Sequence, residues 1–78
     1  MILNALSNNA VEEGATYRRN NGGPNVETAQ VLEVAQDKMG IPHVRFQLKV
    51  ARGTDAMTEQ RTLSLDTFYA RYRERVAS

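Results

Sequence analysis

His43 is the only histidine in the 78 residues, and there is no cysteine at all. A general base needs a positioned partner and a pocket, and no carboxylate close by in sequence offers itself as the orienting partner of His43. A zinc site without cysteine and with one histidine would have to gather carboxylates from several elements. Glu12 and Glu13 are adjacent rather than spaced as a chelate. Asp37 and Asp55 sit in turn-forming stretches, where aspartate commonly bonds its own backbone. Gly22-Gly23-Pro24 is glycine-rich, but a phosphate loop needs a helix directly after it to present its amides, and the stretch from Val26 reads as a strand. No catalytic residue, metal ligand or cofactor is therefore assigned, and an enzyme is not expected.

What remains is binding chemistry. His43, Arg45, Gln47 and Lys49 recur at every second position. On a strand that spacing puts all four on one face. Arg18 or Arg19, and Arg61, on neighbouring strands could extend it. With Tyr17 interleaved, such a face could contact phosphates and stack a base, as single-stranded nucleic acid or RNA requires. The alternative is a solvated sheet face on which long charged side chains discourage unwanted pairing. The candidate binding face is thus Tyr17, Arg18, His43, Arg45, Gln47, Lys49 and Arg61. A second basic group, Arg71, Arg73 and Arg75 near the C-terminus, is expected to complement a helix dipole.

Ten Lys/Arg against nine Asp/Glu leave a net charge of +1. Dedicated nucleic-acid binders usually carry a larger basic excess, which lowers that reading without removing a local patch. Hydrophobic residues make up 41% and charged residues 24%, ordinary values for a folded domain. A chain this short is one domain and buries only roughly 60% of its unfolded surface. Either the core packs well or association adds stability. The absence of cysteine suits a reducing compartment. Met1 to Ser7 lacks the basic start and the length of a secretory signal. No segment approaches the ~20 apolar residues that span a bilayer. The cytoplasm is the expected address.

The elements that position these residues can be read along the chain. Residues 1–13 are expected to form a flexible N-terminal arm, in which Ile2, Leu3 and Leu6 could pack on the domain or on a second copy. Residues 14–78 are the expected domain. A short strand is expected over residues 15–19, then a loop at Asn20 to Asn25, where Asn-Gly and Gly-Gly supply positive φ. Val26 to Gln36 reads as a long strand whose alternation changes phase: Ala29 and Val31 share one face, Leu32 and Val34 the other. A bulge or bend near Val31-Leu32 would reconcile them. Asp37 to Gly40 reads as a hairpin turn. Residues 43–50 give strict period-two patterning, with Val44, Phe46, Leu48 and Val50 inward. Arg52 to Asp55 is a further turn, and residues 57–65 a fourth strand. From Leu65 the period changes: Leu65, Phe68, Tyr69, Tyr72 and Val76 form one helical stripe, which predicts a helix over 65–76 with Ser64 as N-cap.

The predicted fold is mostly β with a C-terminal α-helix. It is a small antiparallel barrel or half-barrel of four to five strands closed by that helix. Short connections make consecutive strands neighbours. Val44, Phe46, Leu48, Ala29, Val31, Leu63 and the Phe68/Tyr72 face are the predicted core. The order Gly14-x-x-Tyr17-Arg18, Glu27-Thr28-Ala29-x-Val31-Leu32 and His43-Val44-Arg45-Phe46 resembles Src-homology-3-like (SH3-like) small barrels of bacterial proteins, over residues 14 to 65. The resemblance implies a binding module and names no ligand. It carries over no peptide-binding residues, because three tyrosines and no tryptophan cannot supply the aromatic row of the signalling domains.

The function expected from sequence is therefore protein–protein interaction, including a homo-oligomer or an exposed strand edge accepting a partner strand. The alternative is nucleic-acid binding through the basic face. No membrane partner is expected.

Overall fold

The computed structural model describes residues 11–19 and 25–76. Among these residues, five strands and one helix run in order: β1 (Thr16–Arg19), β2 (Val26–Gln36), β3 (Pro42–Arg52), β4 (Asp55–Ser64), α1 (Leu65–Arg71) and β5 (Glu74–Val76). The strands form one antiparallel sheet in the order β4-β3-β2-β1-β5. Chain neighbours are sheet neighbours for the first four strands, as short connections dictate. Among the described residues the sheet does not close into a barrel: β4 and β5 are its two free edges. Among the described residues no helix is long and apolar enough to cross a membrane.

The inward set of β3 matches its alternation. Val44, Phe46 and Leu48 are buried, whereas Arg45, Gln47 and Lys49 are exposed. The phase change in β2 is resolved by a bulge at Leu32: Val31 pairs with Phe46 and Glu33 with Arg45, so Leu32 is the extra residue. One added residue lets Val31 and Val34 lie on the same side although three positions separate them. The turn between β2 and β3 is held by Asp37, whose Oδ1 accepts the backbone N–H groups of Met39 and Ile41 at 2.8 and 2.9 Å. Gly40 stands at φ 81°, a conformation that a side chain would strain.

The helix is shorter than the periodicity predicts. It ends at Arg71 rather than near residue 76, and Tyr72 is its C-cap. Glu74–Val76 instead become β5, pairing with β1 through Thr16–Val76, Tyr17–Arg75 and Arg18–Glu74. The free edge of β1 offers unpaired backbone groups, and satisfying them outweighs three more residues of helix. The stripe survives in part: Leu65, Phe68 and Tyr72 are buried, whereas Tyr69 is 45% exposed with Arg73 over its ring at 5.7 Å. Ser64 is the N-cap, accepting the Thr67 N–H at 3.3 Å.

The core lies between the sheet and α1. Phe68 stacks at 5.0 Å from Phe46, 5.0 Å from Tyr72 and 5.8 Å from Tyr17. Docking of the chain begins before Gly14, where the arm is expected to end. Val11 is buried in the core. Glu13 Oε2 accepts the Val34 N–H at 2.9 Å, and Glu12 pairs with Arg75. The remaining arm residues, Ile2, Leu3 and Leu6 among them, and the glycine-rich loop up to Pro24 lie outside the described residues.

Candidate binding surface

The face of the sheet opposite α1 is built by registry. Directly opposed residues of an antiparallel pair point to the same side. One row runs Thr16–Gln30–Gln47–Gln60 from β1 to β4, and a second runs Arg18–Thr28–Lys49–Thr58. A third joins Glu33, Arg45 and Thr62, and a fourth Ala35, His43 and Ser64. The face is dominated by threonine and glutamine. Thr16, Thr28, Gln30, Gln47, Lys49 and Thr58 line a shallow depression at its centre, with a volume of about 450 Å³.

Of the residues predicted for a binding face, Arg18, His43, Arg45, Gln47 and Lys49 share this side. Two do not. Tyr17 is 3% exposed and belongs to the core, its hydroxyl accepting the Glu12 N–H at 2.9 Å. Its neighbours in sequence, Thr16 and Arg18, take the wet side, so strand parity forces Tyr17 inward. Arg61 pairs with Phe46 and therefore projects on the α1 side, where it is bonded to Glu59. That carboxylate raises the Arg61 pKa, first through the hydrogen bond and then through its charge.

The cations that do share the face are mostly matched. Arg18 donates to Glu74 at 2.8 Å, and Arg45 stands 3.5 Å from Glu33. Among the described residues, Lys49 is the one cation of this face without an ionic partner. Sequence reasoning missed Glu33 and Glu74. Alternation places Glu33 only once the bulge is located, and Glu74 only once the helix is known to stop.

At one end of the face, Glu33, Ala35, Asp37, His43, Arg45 and Thr62 line a hollow of about 380 Å³. His43 Nδ1 donates to the Ile41 carbonyl at 2.9 Å and stands 3.7 Å from Asp37 Oδ2. Asp37 thus provides the neighbouring carboxylate that the sequence did not reveal. Its pKa is lowered, chiefly by the Ile41 N–H it accepts, with the Met39 N–H and the charge of His43 acting in the same direction. Ser64 lies across the ladder from His43, yet its hydroxyl is committed to Thr67 at the helix start. Among the described residues no group of three or more histidines and carboxylates could hold a metal ion.

The second open surface is an edge. β4 is ten residues long and, among the described residues, bonds β3 on one side only. Its hairpin closes on the pair Arg52–Asp55 with two residues between, Gly53 standing at φ 61°. Positive φ at the first of two central residues is the mark of a type II′ turn, whose flanking residues exchange hydrogen bonds. Pairing then alternates along the ladder. Asp55, Met57, Glu59, Arg61 and Leu63 bond to β3. Ala56, Thr58, Gln60, Thr62 and Ser64 turn their N–H and C=O groups outward. Met57, on the α1 side of this edge, is 60% exposed. A seven-residue helix is only about 10 Å long and does not reach the far half of the sheet.

Compared with protein-family models, curated proteins and solved structures, the chain finds no match.

Proposed function

We propose that this chain is a non-catalytic binding module that makes protein–protein contacts by accepting a strand on the outer edge of β4. The observation that carries the reading is this edge: ten residues long and, among the described residues, unpaired on one side. Main-chain groups aimed outward from an extended edge give affinity to an added strand, and side chains at alternate positions give it selectivity. The five-strand order with a helix between the fourth and fifth strands supports kinship with bacterial SH3-like small barrels, opened rather than closed. A cytoplasmic address belongs to the same reading and is supported by the absence of cysteine.

Binding of RNA or a single strand by the opposite face has less support. Glu74 and Glu33 offset Arg18 and Arg45, and the aromatic ring expected there, Tyr17, is in the core. The test is capture of partners from source cells, with and without nuclease, by the native chain, by Gln60→Pro and by Lys49→Glu. Proline at position 60 removes an outward N–H and no β3–β4 ladder bond. Capture that resists nuclease and is lost in Gln60→Pro supports strand addition. Capture abolished by nuclease and by Lys49→Glu, and unchanged in Gln60→Pro, replaces it with the nucleic-acid reading.

A further inference from the structure

We infer that the strand accepted by β4 is β4 of a second copy, paired antiparallel about a twofold axis through Gln60; this rests on the strand-edge reading above. An antiparallel edge-to-edge pair related by a twofold axis normal to the sheet keeps each face on its own side. The axis must then pass through a residue, and the choice of residue fixes every cross-strand pair.

With the axis at Gln60, position 59 of one copy opposes position 61 of the other. Glu59 meets the partner's Arg61, and Arg61 meets the partner's Glu59. These two side chains already touch within the chain, with 41% and 53% of their side-chain surface exposed. Pairing therefore builds an alternating square of four charges. Met57, exposed on the same side, meets the partner's Leu63. On the polar face Thr58 meets the partner's Thr62, and Gln60 meets the partner's Gln60.

That last contact extends the row Gln30–Gln47–Gln60 directly into its mirror sequence in the other copy. Glutamine amides both donate and accept, so a row of them can be continued without leaving a donor or acceptor unmatched. The backbone agrees, because Gln60 is one of the residues whose N–H and C=O face outward.

The register is selective. Moving the axis one residue toward the N-terminus sets Glu59 against the partner's Glu59. Moving it one residue the other way sets Arg61 against the partner's Arg61. Like charges directly opposed are destabilising. Only the Gln60 register, of these three, complements both charges and both apolar side chains, and it aligns positions 56 to 64 of the two strands.

The experiment is sedimentation equilibrium on the full chain and its charge variants, with circular dichroism confirming that each variant is folded. The native chain is expected at twice its 8.7 kDa mass. Glu59→Arg and Arg61→Glu alone each replace two attractive contacts with two repulsive ones, and each is expected to weaken self-association by about tenfold or more. An equimolar mixture of the two variants is expected to recover a heterodimer, because every acid then meets a base. The double variant Glu59→Arg/Arg61→Glu is expected to recover the homodimer for the same reason. A dimer equally strong in all variants overturns the inference, as does a monomeric native chain. A monomeric native chain whose partner capture is still lost in Gln60→Pro overturns the self-pairing alone. A monomeric native chain whose capture ignores Gln60→Pro overturns the strand-edge reading with it.

Discussion

At the scale of the residue, one side chain holds the two layers together. Phe68 contacts three other rings, Tyr17 and Phe46 from the sheet and Tyr72 beyond the helix, and is fully buried. Phe68→Ala should cost about 3–5 kcal/mol, because the cavity it leaves is bounded by rigid rings that collapse poorly. Urea denaturation checks this. A chain of this size has little more stability than that to lose. Tyr72 makes a pH-dependent contribution. Burial, and then the charge of Glu27 to which its hydroxyl donates at 3.3 Å, raises its pKa above the ordinary 10.0. The fold therefore favours the protonated phenol. That stability is fully present below pH 10.0 and is lost as pH rises through the raised value. Alkaline melting curves should show a loss above pH 10.0 in the native chain and a smaller one in Tyr72→Phe.

At the scale of the element, the helix start and the first four strands were legible, and the helix end and β5 were not. The alternation from Val44 to Leu48 needed no tertiary information, because a period of two over a half-buried strand has one solution. The bulge was legible too, from Val31 and Val34 falling out of phase. The C-terminal boundary failed for a physical reason. Tyr72 and Val76 fit a helical stripe, but residues 74 to 76 had a second option, the vacant side of β1, which exists only after the sheet has formed. The same long-range pairing hid Glu74 beside Arg18. Parity within β1 was readable in principle: Thr16 and Arg18 outward requires Tyr17 inward. For Arg61 the readable phase was that of β4, but its face depended on registry with β3. The cap makes a sharper prediction. Ser64→Ala should destabilise the chain by about 1 kcal/mol, since the Thr67 N–H would lose its acceptor at the entry to a seven-residue helix. A thermal melt of the two proteins checks it.

At the scale of the whole molecule, the sheet is amphipathic and open. One side is covered in part by α1 and the segment around Val11, the other is a broad polar face, and the two edges differ. Removing residues 74–78 would strip β1 of its outer partner and expose the Tyr17 ring that β5 flanks. Such a truncated chain should aggregate with increasing concentration, where the native chain stays in solution, as light scattering would show. The opposite face, by contrast, is polar enough to stay wet: its row Thr16–Gln30–Gln47–Gln60 carries no charge, whereas Arg18 and Lys49 stand in the row beside it.

The inequality of the edges has a consequence for growth. A sheet with two long, bare margins can recruit copies at both ends and lengthen without limit. Here the far margin is β5, three residues long among the described residues, and Arg75 at its centre is tied to Glu12. A molecule that is adhesive on one flank and blunt on the other stops after a single joining event. If two copies join along β4 as proposed, the margins left outward are these short ones, and the expected product is a finite particle and not a fibre.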